Sequence, residues 1–153
     1  MTLTSAALWA LVIALGLQTG AGLFETRVLV PLWSSDPPAS LAAYLSQPIR
    51  PDSGRRFWII LSPITAVISL LNLVLAILST APMRAWWIAS AAGSVTVMAA
   101  TFGYFVPALL SMARDGANTP PAKARRWVVL NYFRAVLIVA AWIAALKAFS
   151  VAL

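Results

Sequence analysis

Few side chains in this sequence can carry acid–base chemistry, and most of the polar ones that could assist sit inside long apolar runs. The chain has no Cys and no His, and its carboxylates are Glu25, Asp36, Asp52 and Asp115. Disulfides, thiol nucleophiles and iron–sulfur clusters are therefore excluded, and little remains to hold a transition metal or haem. Gly-rich phosphate loops, Ser-His-Asp or Cys-His sets and paired carboxylates are absent too. What is left recurs at helical spacing: Gln18, Gly22 and Glu25; Ser62, Thr65, Ser69 and Asn72; Ser94, Thr101 and Tyr104; and Trp127, Asn131 and Arg134.

A carboxylate and a guanidinium among apolar residues are costly unless they meet a partner. Glu25 and Arg134 support two readings. In the first they are an ion pair that fixes helix register. In the second they form, with Tyr104, a catalytic set acting on an apolar substrate without a cofactor, and Gln18, Thr65, Asn72, Thr101, Asn131 and Trp127 line the substrate site. The readings are compatible and differ in whether empty space lies beside the pair. Arg27, well round the helix from Glu25, either snorkels towards lipid head groups or competes as the partner of Glu25.

The elements that must position these residues are membrane-length helices. Of the 153 residues, 61% are hydrophobic and 10% are charged, and the mean hydropathy is +0.88. A soluble core of this length could not hide so much apolar surface. Apolar stretches at residues 6–32, 57–79, 85–113 and 127–152 each suffice to cross a bilayer core, which takes about 20 helical residues. The expected architecture is all-α: one domain, an antiparallel four-transmembrane-helix bundle. The first stretch is read as retained rather than as a signal peptide, since no Lys or Arg precedes it and it outruns an h-region. Connectors are expected at residues 33–56 and 114–126, with a short turn around residues 80–84. Trp9, Trp33, Trp58, Trp86, Trp87 and Trp127 fall near the predicted ends, where amphipathic rings meet head groups.

The formal net charge of +7 raises the question of a nucleic-acid partner. The cations, however, sit singly or in pairs between apolar runs, which suits loops facing anionic lipid. Arg50, Arg55 and Arg56 lie in the first long connector, and Arg114, Lys123, Arg125 and Arg126 in the second. The positive-inside rule then makes both connectors cytoplasmic and both termini external, in a multi-pass protein of the cell membrane. Counted from the cytoplasmic ends at about 1.5 Å per residue, Glu25, Thr65, Tyr104 and Arg134 all reach a layer roughly 10 to 14 Å deep. Gly16 and Gly20, on the opposite face of the first helix, mark close packing, with a homo-oligomer seam as the lesser reading.

Three segments resemble the anthrone oxygenase-like family of small four-helix membrane proteins. They are "TGAGLFETRVLVP", with Gly20, Gly22 and Val28 to Pro31; "TFGYFVPALLSMA"; and "RRWVVLNYFRAVL", with Trp127, Asn131 and Arg134 at W-x-x-x-N-x-x-R spacing. The resemblance implies a four-helix membrane protein with recurring polar positions at Asn131 and Arg134, and oxidation of anthrones by O2 in some members. It assigns no catalytic residue. The expected function is a membrane-embedded, cofactor-independent oxygenase for an apolar polycyclic substrate. The alternative is a non-enzymatic accessory subunit, or a binder or carrier of a lipid-like molecule. A channel is disfavoured because four helices enclose little space.

The absence of cysteine makes the topology directly testable. Single Cys substitutions at Ser53 and Asn118 should react with a membrane-impermeant maleimide only after cell lysis, and one at Ser150 in intact cells. Labelling of Ser53 and Asn118 but not Ser150 in intact cells would reverse the orientation.

Overall fold

The computed structural model describes residues 3–47 and 52–152, and among them every regular element is helical. The chain runs α1 (Leu3–Phe24), a π turn (Glu25–Leu29), α2 (Val30–Ser34), α3 (Ala39–Leu45), α4 (Asp52–Leu78) and α5 (Arg84–Ala100). A second π turn (Thr101–Phe105), α6 (Val106–Asp115), a 3-10 turn (Gly116–Asn118) and α7 (Pro121–Ala152) complete it. Merged across their π turns, four helices are long and apolar enough to span a membrane: Leu3–Ser34, Arg56–Leu78, Arg84–Asn118 and Pro121–Ala152.

The helices extend further than the sequence pattern predicts. Pro121 opens α7 six residues before Trp127, because a proline in the first turn sacrifices no hydrogen bond. Lys123, Arg125 and Arg126 therefore lie on helix rather than in a loop, their aliphatic stems able to follow the surface. The first connector also contains α3, which packs on α2 and on the Gly116–Asn118 turn, so segments from both long connectors meet. Arg50, counted among the cations of that connector, lies outside the described residues.

α1 packs on α4 and α7, and α5 packs on the same two helices, so the four surround a common interior. That interior is layered. One apolar cluster contains Leu8, Leu11, Leu15, Trp87, Val97 and Ile138. A second contains Val30, Trp33, Phe105, Met112, Ala124 and Trp127. On the first and third long helices the Leu11-type cluster comes earlier in sequence, whereas on α7 it comes later, beyond Arg134. Polar residues fill the zone between. Outside, large apolar side chains such as Ile13, Leu17, Ile60, Val67, Phe133 and Val136 are more than half exposed. Such a surface is far more apolar than a soluble domain presents.

Small residues set the helix spacing at two points. A methyl added at Gly16 would stand 3.3 Å from the Trp142 indole nitrogen, and one at Gly93 would stand 3.3 Å from the Ala141 methyl. Gly20, one turn from Gly16, has open space. Of the G-x-x-x-G pair, then, Gly16 is covered within the chain and only Gly20 faces outward. Gly16→Leu should lower stability by about 1–3 kcal/mol through overpacking against Trp142, and Gly20→Leu should change it little. Thermal unfolding in detergent measures both, and equal losses would contradict this packing.

Candidate functional site

The zone between the two apolar clusters holds Gln18, Glu25, Thr101, Asn131 and Arg134, and two of them, Glu25 and Thr101, open π turns. Pro31 and Pro107 lack the N–H that would continue the helical ladder, and their rings crowd the carbonyls four residues back. In both helices the preceding turn is widened. The Val30 N–H bonds to the Glu25 carbonyl, and the Val106 N–H bonds to the Thr101 carbonyl. Such turns rotate the residues beyond them and recur at functional sites.

Glu25 and Arg134 do meet. The Arg134 Nη2 lies 3.7 Å from the Glu25 Oε2, with the two side chains 15% and 19% exposed. This is a loose contact rather than a bidentate fork. Arg134 also donates from Nη1 to Thr101 Oγ1 at 3.4 Å, and its guanidinium lies 4.6 Å from the centre of the Phe105 ring. The aromatic face thus shares in holding the cation. Thr101 in turn donates to the Val97 carbonyl at 2.7 Å. Arg27 is not the partner of Glu25: it is exposed and has no ion pair among the described residues.

The other expected members of the layer divide into groups. Thr65 bonds to Gln18 Oε1 at 3.4 Å, so it reaches the layer through Gln18 rather than directly. Asn131 donates to Thr26 Oγ1 at 2.9 Å, and its own Oδ1 is buried without a partner among the described residues. Asn72 belongs elsewhere. Its Oδ1 accepts from the Trp87 indole at 2.9 Å and its Nδ2 donates to the Ile68 carbonyl, which fits a helix brace rather than a substrate contact. Trp127 is likewise a brace, donating to the Phe105 carbonyl at 3.1 Å and stacking edge-on against Trp33 and Phe105.

Tyr104 does not join Glu25, Thr65 and Arg134 as the spacing predicts. Its ring contacts Phe105 and lies 5.8 Å from the Arg126 guanidinium, two turns along α7 from Arg134. The widened turn explains the shift, because it puts Thr101 and Phe105, rather than Tyr104, on the inner face. Spacing also missed Thr26, the acceptor for Asn131, and Phe105. The signal available for both was the repeated Val-Pro at residues 30–31 and 106–107, which marks the π turns.

Two spaces adjoin the layer. A cavity of about 10 Å³, lined by Gln18, Gly22, Thr26, Trp58, Arg134 and Ala135 among others, has room for about one water. On the outer side, a groove of about 310 Å³ runs between the first and fourth long helices. Its walls include Leu23, Thr26, Arg27, Tyr132, Ala135 and Val136. Thr26 and Ala135 belong to both spaces and form the partition between them. Tyr132 is the aromatic residue on the groove's wall.

Removing one member of the pair strands the other, so Arg134→Met alone should cost about 2–4 kcal/mol, below the fully buried range because both groups are partly exposed. Adding Glu25→Gln should recover more than half of that loss. A double-mutant cycle of unfolding in detergent measures the coupling, and additive losses would show that the two charges do not depend on each other. No family model, no curated protein and no solved structure matches this chain.

Proposed function

We propose that this chain is a multi-pass protein of the cell membrane, an antiparallel four-helix bundle that holds an apolar small molecule or lipid in the groove beside its Glu25–Arg134 layer. The observation that carries this reading is the groove itself. At about 310 Å³ it is large enough for a small-molecule site, and its wall is mostly apolar, with Thr26, Arg27 and Tyr132 supplying polar groups. The exposed apolar residues on all four long helices support immersion in lipid. The packing of α3 against the Gly116–Asn118 turn supports both long connectors lying on one side, the side richest in Arg and Lys.

One observation favours an oxygenase acting at the Glu25–Arg134 layer beside that groove. The Glu25 carboxylate is held at 3.7 Å by Arg134 and makes no hydrogen bond among the described residues, so lone pairs are free to accept a proton. In an anthrone-like reaction Glu25 would take a proton from the acidic ring carbon, and the electron-rich enolate would pass electrons to O2. Arg134 would stabilise the oxyanion. The overall change, anthrone plus O2 to anthraquinone plus water, balances without a cofactor. Tyr104 would take no part in it, since its ring lies near Arg126.

Purified protein in nanodiscs should consume O2 with anthrone at a rate that Glu25→Gln lowers at least tenfold, followed with an oxygen electrode. No uptake above the protein-free rate would leave the binding function and remove the oxygenase.

A further inference from the structure

Resting on the groove reading, we infer that the occupant is a single-chain amphiphile with a monoanionic carboxylate head, a fatty-acid-like molecule. Its chain lies along the groove, and its head lies at the Thr26–Ala135 partition.

Charge is the first argument. Arg27 on the groove wall and Arg134 on the inner cavity stand against one carboxylate, Glu25, so the locality carries one uncompensated positive charge. Among the described residues Arg27 has no ion pair, although it opens onto an apolar groove. A cation in such surroundings gains most from an anion of matching charge.

Hydrogen bonding is the second. Thr26 Oγ1 accepts from Asn131, which leaves its own O–H free to donate, and Thr26 lines both spaces. A hydroxyl donor shared by two spaces, one bordered by Arg27 and the other by Arg134, suits an acceptor-only head such as a carboxylate.

Size is the third. The inner cavity holds no more than about one water-sized group, and the groove lies at the small end of the roughly 300–1,000 Å³ range of small-molecule sites. A slender head and one chain fit these spaces better than a glycerophosphate with two chains. Gly22 lines the inner cavity beside this partition, and a methyl there would meet nothing within 4 Å, so a larger side chain has room to fill the space next to the head.

The test uses the full chain in phosphatidylcholine nanodiscs, with palmitate and hexadecanol as probes of equal length. Palmitate should bind saturably, roughly tenfold more tightly than hexadecanol, and Arg27→Gln and Gly22→Leu should each weaken it by about tenfold. Circular dichroism confirms that both variants keep their helices. Equal binding of the two probes, or palmitate binding that Arg27→Gln leaves unchanged, overturns the acidic head while the groove stands. Displacement of palmitate by equimolar phosphatidic acid identifies a phospholipid and overturns the single-chain occupant. If neither probe binds, the groove reading fails with it.

Discussion

An ionised carboxylate and a guanidinium placed among apolar side chains must find each other or other polar partners, and much of the interior is arranged around that requirement. Glu25 and Arg134 come from the first and fourth long helices, and their meeting ties those helices in register. The pair is supported rather than sealed. Thr101 accepts one N–H of Arg134, Phe105 offers its ring face, and each charged side chain keeps some exposure. Dense apolar clusters on either side leave a narrow zone in which these groups can be satisfied.

The means of placing them is the same on two helices. A Val-Pro step near the end of each run widens the turn before it, at Glu25–Leu29 and at Thr101–Phe105. Each π turn sits where a polar residue of the layer leaves the helix, Glu25 in one case and Thr101 in the other. A regular helix would have kept a constant angular step through both. The added width turns Phe105 towards Arg134 and leaves Tyr104 near Arg126.

Polar residues away from the pair illustrate how the interior separates bracing from binding. Asn72 with Trp87, Ser69 with Ser94, and Trp127 with the Phe105 carbonyl are short, buried bonds that hold neighbouring helices together. Gln18, Thr26 and Arg134 instead border free space. Thr26 stands at the partition between the inner cavity and the outer groove, and this position gives it more chemical opportunity than its ordinary side chain suggests.

The sequence by itself determined the helical class and the four long apolar helices, and it nominated Arg134 as the partner of Glu25 with Arg27 as a competitor, a choice that the structure made. Length, hydropathy and the cost of an unpaired charge are local or compositional constraints that no tertiary detail needs to supply. Helical spacing also identified Gln18, Thr65, Thr101 and Asn131 as inward polar positions. It could not decide which inward residues touch. That depended on the π turns, which shift angular phase beyond Glu25 and Thr101 and so removed Tyr104 and introduced Phe105. Only the tertiary structure decided that Gly16 is covered by Trp142, that Asn72 serves Trp87, and that space lies outside Thr26 as well as within. Contacts between helices are set by packing over dozens of residues of sequence separation, and periodicity along one helix carries no information about its neighbour's phase.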